Sequence, residues 1–164
     1  MKIKIGFGYD IHRLSRGRDL YLGGVKIPYP MGLMGHSDGD CLIHALIDAL
    51  LGAAGQGDIG RLFPDTDPAY RGVRSPELLR RAMSRLKRLR IQVMNADVVV
   101  VAEQPKLAPH IEDMKGILCP ILGITKDQLG IKAKTNEGLG LIGRNKAVAC
   151  WAVVLVEDKA GEKR

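Results

Sequence analysis

The chain has 164 residues, 46% of them hydrophobic, which suits one ordinary core and is too apolar for a disordered chain. Its longest apolar run, Ala147 to Val156, falls far short of the ~20 residues a membrane-spanning helix needs. A formal charge of +7 attracts anions of any kind and does not choose among nucleic acid, an acidic surface and a phosphorylated small molecule.

The first segment alternates strictly. Ile3, Ile5, Phe7, Tyr9 and Ile11 share one parity, while Gly6, Gly8, Asp10 and His12 share the other, which predicts a strand with one apolar face. Gly6 and Gly8 clear side chains from the face that carries Asp10 and His12, so a site is expected to open there. No signal-peptide pattern interrupts this start, and no export is expected. A turn-rich stretch with Gly23-Gly24 and Pro28-Tyr29-Pro30 leads to a helix over Cys41 to Ala54, with Ser37 or Asp38 as its expected cap. This helix is apolar nearly all round, except that Asp40, His44 and Asp48 recur every four residues as one polar stripe.

Gly55 to Gly72 reads as a loop of functional length. Ser75-Pro76-Glu77 opens a second helix whose buried face is Leu78, Leu79, Ala82, Met83 and Leu86. Arg80, Arg81, Arg85, Lys87, Arg88 and Arg90 form its solvated basic face. Asp97 to Ala102 predicts a strand buried on both faces, and Ile111, Met114, Ile117, Leu118, Ile121 and Leu122 mark a third helix. Thr125 to Gln128 has capping-box form for a short fourth helix. Ile131 to Thr135 returns to strand, a glycine-rich turn follows through Arg144, and Ala147 to Val156 closes as a buried strand. The order predicts a two-layer α+β domain over residues 1–158, with a single mixed sheet covered on one face by helices, and a short charged tail at 159–164.

Asp10 and His12, two apart on a strand, project to one face, where a helical His44 could complete a set of two nitrogens and one carboxylate. Those ligands suit zinc with an open fourth position, as in catalytic sites. The plainer alternative is that Asp10 pairs with a lysine and the histidines are satisfied core or surface groups. Asp40, one turn before His44, is the candidate acceptor for its imidazole, against a simple role as a helix N-terminal acid. Cys41, Cys119 and Cys150 form no Cys-x-x-Cys pair and read as reduced, buried thiols of a cytoplasmic protein. Few aromatic residues are available for base stacking, which argues against a nucleic-acid-binding module, and no membrane partner is expected.

Gly8-Tyr9-Asp10-Ile11-His12, Leu22-Gly23-Gly24-Val25, His36-Ser37-Asp38-Gly39-Asp40 with His44, and Asp58-Ile59-Gly60 to Asp67 together resemble 2-C-methyl-D-erythritol 2,4-cyclodiphosphate synthases. Pro105-Lys106, Pro109-His110-Ile111, Lys132-Ala133, Thr135, Glu137 and Gly143-Arg144 extend the resemblance over nearly the whole chain. The resemblance implies a homotrimeric phosphorus-oxygen lyase of the non-mevalonate isoprenoid route, with sites between subunits. Its reaction would cyclise 4-diphosphocytidyl-2-C-methyl-D-erythritol 2-phosphate and release CMP.

By the same resemblance, Asp10, His12 and His44 hold zinc, one ion per subunit, and Glu137 helps hold magnesium or manganese on the substrate diphosphate. His36 and Thr135 stabilise the transition state. Asp10, Ile11, His12 and His36 also contact the substrate, and Ser37, with Asp58, Ile59 and Gly60 and then Phe63, Pro64, Asp65, Thr66 and Asp67, lines the methylerythritol side. Ala102, Glu103, Gln104, Pro105, Lys106, Leu107 and Ala108 hold the cytidine and its phosphates together with Lys134, Thr135, Asn136 and Glu137. Leu141 and Arg144 complete these contacts. Lys134 and Asn136 stand where hydroxyl residues are frequent in that family, Leu141 where an aromatic is common, and Trp151 where some members carry an acid. The nearest rival reading is a zinc phosphohydrolase that activates water at the open metal position.

Overall fold

Strand β1 (Lys2–Arg16) is crossed on its glycine-bearing face by helix α1 (Cys41–Ala53), and two absent side chains permit that crossing. A Cβ at Gly6 would lie 1.8 Å from the Ala49 carbonyl oxygen, and one at Gly8 would lie 1.9 Å from that of Ala45. The space expected for a ligand is therefore filled by helix backbone at Gly6 and Gly8, and it opens beyond Gly8, at Asp10 and His12.

The computed structural model describes residues 2–160. Short strands β2 (Leu20–Leu22) and β3 (Val25–Ile27) form a separate hairpin, and β4 (Met31–Leu33) pairs with the end of β1. Helix α2 (Ile59–Leu62) and a 3₁₀ turn at Pro68–Tyr70 structure the expected loop. Then come α3 (Ser75–Arg88), β5 (Ile91–Val101), α4 (Ile111–Leu122), β6 (Leu129–Lys134), α5 (Gly140–Gly143) and β7 (Ala147–Asp158). Thr125 to Gln128 makes a 3₁₀ turn rather than an α-helix, with the Thr125 amide donating to Gln128 Oε1 at 2.9 Å. Of the expected charged tail, residues 161–164 lie outside the described residues.

The five-stranded sheet runs β4-β1-β7-β5-β6. Its β5–β6 pair is parallel and its other pairs antiparallel, so the sheet is mixed. One buried cluster joins α1, α3 and α4 to the inner face, with Leu42, Leu46, Leu50, Leu79, Leu86, Met114, Val148, Cys150 and Val154 at its centre.

The other face is bare among the described residues. Ile5 and Phe7 are 70% and 62% exposed, and Ile3, Tyr9, Ile11 and Val153 are also open. Register pairs Tyr9 with Trp151 and Phe7 with Val153, so β7 continues the apolar surface of β1. The strands at 97–102 and 147–156, expected to be buried on both faces, are so only in part: Val100 to Ala102 and Ala147 to Cys150 are buried at consecutive positions, whereas Asp97 and Val153 are exposed and Val99, Trp151 and Leu155 half-buried. Where the second face is open, the continuous apolar composition leaves an apolar surface that the single chain does not cover.

Candidate functional site

The polar stripe of α1 organises this end of the molecule. Asp40, rather than Ser37 or Asp38, caps the helix: its Oδ1 accepts from the Ile43 amide at 3.1 Å and the Gly23 amide at 3.0 Å, and its Oδ2 from Gly24 at 2.7 Å. That carboxyl is fully buried, and burial, with Asp38 nearby, pushes it up to about 6 despite these amides. Occupied in this way, Asp40 makes no hydrogen bond to the His44 ring, which corrects the acceptor role expected for it. Asp48 Oδ1 accepts from the Ile59 amide at 2.7 Å and so holds the start of α2. Between them, His44 points at β1.

Asp10 Oδ2 lies 2.9 Å from His12 Nδ1 and 3.2 Å from His44 Nδ1. Burial raises the Asp10 carboxyl, yet its contacts with His12 and His44 outweigh that and hold it at about 2. Burial lowers the His44 imidazole while Asp10 raises it, and the net direction is upward. His12 Nδ1 is buried without a directed hydrogen-bond partner, although it sits at ion-pair distance from Asp10. A buried acceptor nitrogen facing a carboxylate and a second imidazole, all three ligand atoms within 4.8 Å, is what a shared cation satisfies. Zinc bonds of ~2.0 Å in tetrahedral geometry place donor atoms roughly 3.3 Å apart, which the 2.9 and 3.2 Å separations approach. The residues fit a divalent cation.

A cavity of about 220 Å³ opens on this cluster. Its walls include His36, Ser37, Ile59, Gly60, Phe63, Asp65 and Asp67, all named from the sequence, and Gly35, Tyr70, Arg71 and Leu78, which were not. His36 is largely exposed, with Nε2 3.8 Å from Asp65 Oδ2. Its loop is clamped from outside, because Arg18 Nη2 donates to the Gly35 carbonyl at 3.2 Å and the Ser37 carbonyl at 3.0 Å. Four of the expected residues stand apart from the cavity lining. Ile11 faces the bare side of the sheet, Asp58 caps α2 by accepting from the Arg61 amide at 2.8 Å, and Pro64 and Thr66 flank the lining residues without joining them.

The remaining expected residues form a second corner, at the C-terminal ends of β5 and β6. The Ala102 amide donates to the Lys134 carbonyl at 2.9 Å, and Glu103 Oε2 accepts from the Asn136 amide at 3.2 Å, tying segment 102–108 to segment 134–137. Gln104-Pro105 is a cis peptide, after which Lys106 is exposed and Leu107 buried, with Ala108 beginning a 3₁₀ turn. Thr135 Oγ1 donates to Glu137 Oε1 at 3.0 Å, while Leu141 and Arg144 lie exposed nearby on α5 and its cap.

The two corners do not meet within one chain. Asp10, Cys150, Val100 and Ala133 are in register on adjacent strands, so β1 and β6 stand three strand spacings apart, about 14 Å. A larger groove of about 1180 Å³, between α3, α4 and the start of β5, contains no candidate catalytic or ligand residue.

The family model described as the YgbB family matches residues 3–157. The chain belongs to the YgbB family. Among relatives, a protein of Ralstonia pickettii (strain 12J) named 2-C-methyl-D-erythritol 2,4-cyclodiphosphate synthase is 53% identical over 156 residues, 95% of this chain and 93% of that protein. One of the same name from Gloeobacter violaceus is 54% identical over 157 residues, 96% of each. A solved 2C-methyl-D-erythritol-2,4-cyclodiphosphate synthase described as a bound form with CDP superposes with a TM-score of 0.87 at 45% identity, covering 94% of this chain and all of that one. The resemblance to 2-C-methyl-D-erythritol 2,4-cyclodiphosphate synthases read from the motifs is thus matched by whole-chain similarity, and the α+β sheet of this chain is the one seen in those structures.

Proposed function

We propose that the chain is a metal-dependent 2-C-methyl-D-erythritol 2,4-cyclodiphosphate synthase. In this reading residues 1–158 act as one catalytic domain, converting 4-diphosphocytidyl-2-C-methyl-D-erythritol 2-phosphate to the cyclodiphosphate and CMP. The observation that carries the reading is the buried His12 Nδ1, without a directed hydrogen bond, converging with Asp10 and His44 on the floor of the His36 cavity. Whole-chain similarity to proteins named for the cyclodiphosphate product supports this choice of substrate.

In the reaction an oxygen of the 2-phosphate forms a bond to the β-phosphorus, and the bond from that phosphorus to the oxygen bridging to CMP breaks. CMP leaves with the electron pair. Phosphoryl transfer of this kind needs alignment and charge neutralisation more than a protein nucleophile. A zinc ion held by Asp10, His12 and His44, and a magnesium or manganese ion held by Glu137 with the diphosphate itself, would supply Lewis-acid charge. His36 and the Thr135 hydroxyl donate hydrogen bonds as charge shifts, and Ser37 with segments 58–60 and 63–67 encloses the methylerythritol group. Segments 102–108 and 134–137, with Leu141 and Arg144, hold the cytidine and its phosphates, a role consistent with the CDP-bound relative.

A homotrimer completes the site. The separation of the two corners within one chain and the bare apolar face of β1 and β7 both favour an assembly in which one copy's metal corner adjoins its neighbour's nucleotide corner. Three buried free thiols suit a reducing compartment such as the cytoplasm.

Phosphorus NMR with the cytidine diphosphate substrate tests the reading, first in chelator and then with zinc plus magnesium or manganese. Metal-dependent CMP together with a cyclic diphosphate is expected. CMP with only linear phosphates would mark a hydrolase instead.

A further inference from the structure

We infer that Ser75 is a positioning residue for the metal ligand His44. It accepts a hydrogen bond from the imidazole Nε2–H and donates its own hydroxyl hydrogen bond to Asp38, so that Nδ1 of His44 is presented with a free lone pair. The inference rests on the reading of Asp10, His12 and His44 as a metal site.

Proton bookkeeping sets the direction of this relay. His44 Nδ1 faces Asp10 Oδ2 at 3.2 Å, while Nε2 lies 3.0 Å from Ser75 Oγ and 3.2 Å from Ser37 Oγ. An ionised carboxylate can only accept, and Asp38 Oδ1 accepts the one hydrogen bond that the Ser75 hydroxyl can donate. The lone pairs of Ser75 Oγ therefore remain to accept, and the group in reach is His44 Nε2. A proton on Nε2 of a neutral imidazole leaves Nδ1 unprotonated, which is the tautomer a cation requires.

The end of the relay is itself fixed. Asp38 Oδ2 accepts from the Ser75 amide and from Arg74 Nε, each at 3.0 Å, and Oδ1 also accepts from the Asp40 amide at 3.3 Å. Ser75 is fully buried and its side chain is shielded from solvent. As the first residue of α3 it also ties that helix to the first turn of α1, so the orientation of His44 is set by two elements packed against each other. Ser37 is the weaker candidate, being part of the cavity lining and farther from Nε2.

The test is zinc affinity at fixed pH, read by competition with a chromogenic chelator, for the unaltered chain and for Ser75→Ala and Ser75→Thr. Loss of an outer hydrogen-bond partner of a ligand histidine weakens metal binding roughly 10- to 100-fold, and that loss is expected for Ser75→Ala, with Ser75→Thr recovering most of it. Long-range proton–nitrogen NMR of the zinc-loaded unaltered protein reads the tautomer without any substitution. A protonated Nε2 and metal-bound Nδ1 on His44 support the relay, and the reverse assignment overturns it even if Ser75→Ala does not fold. Equal zinc affinity in folded Ser75→Ala and unaltered protein also overturns it while leaving the metal site standing. Failure of the unaltered protein to bind zinc would remove the metal site and the relay together.

Discussion

Gly6 of β1 lies directly beneath Ala49 of α1, so close that a Cβ there would sit 1.8 Å from the Ala49 carbonyl oxygen and 2.8 Å from the Ala53 amide nitrogen. Backbone cannot step aside as a flexible side chain does. The substitution Gly6→Ala is therefore expected to destabilise the protein by about 3 kcal/mol, at the upper end of overpacking effects. Gly52, on α1 itself, provides the contrast: its Cβ would meet only the Phe7 carbonyl oxygen at 3.9 Å, so Gly52→Ala should stabilise by about 0.5–1 kcal/mol through helix propensity. Urea unfolding of the two variants checks both signs, and similar destabilisation by both would refute the steric account.

How far these features were legible in the chain depends on the distance over which each is encoded. Asp10 and His12 share a face because strands alternate, and His44 stands out because a charged stripe on an otherwise apolar helix requires an explanation. Local periodicity does not say which face of β1 the helix covers. The glycine parity, where a site was expected to open, is the one that meets α1, and the apolar side chains line a surface that one chain leaves open. The partner of the His44 ring was also illegible. Ser75 comes 31 residues later, across a long loop, and there its spacing reads only as a helix start. Asp40, the local candidate, is engaged by three backbone amides.

Arg18 is expected to matter for turnover although it does not line the cavity. Its guanidinium joins the carbonyls of Gly35 and Ser37 on either side of His36, so Arg18→Met releases the loop while leaving Asp10, His12 and His44 in place. Misplacing a transition-state group by about 1 Å costs up to roughly 100-fold in rate. A fall in kcat of about 10- to 100-fold, with zinc affinity unchanged, is expected from steady-state kinetics and chelator competition. Unchanged kcat would show that the loop keeps its place without the clamp.

Phe7 tests the assembly. It is 62% exposed in the single chain and stands in register with Val153 on the bare face, so in the proposed trimer it is buried among its copies. Phe7→Glu would place carboxylates in that apolar interface, where unpaired charge costs several kcal/mol per ion. Light scattering after size-exclusion chromatography should show the unaltered protein at the mass of three chains and Phe7→Glu mainly as single chains. A monomeric unaltered protein would remove the assembly from the proposal.

Zinc should also stabilise the fold, since a ligand bound only by the native state adds about 2.7 kcal/mol at 100 times its Kd. His12→Ala removes the one buried nitrogen in the cluster that has no hydrogen-bond partner, and so should abolish the zinc-dependent rise in Tm. The rise should persist in Thr135→Ala, because Thr135 belongs to the other corner, bonded to Glu137 at 3.0 Å. Equal shifts in both variants, read by calorimetry in chelator and then in zinc, would place the bound ion elsewhere.

The same two substitutions decide whether a site is shared between chains. His12→Ala disables the metal corner and Thr135→Ala the nucleotide corner, so each is expected to be nearly inactive alone. If every site takes its metal corner from one copy and its nucleotide corner from the next, subunits mixed in equal amounts and reassembled restore both corners in about a quarter of the sites. If both corners come from a single chain, mixing restores nothing, because no chain carries both intact. Recovery of CMP release to about a quarter of the unaltered level, after refolding the variants together and not after mixing them already folded, is the expected result. Absence of recovery in correctly assembled mixed trimers would mean that a single chain bridges the roughly 14 Å between β1 and β6 by itself, and the assembly would lose its catalytic role.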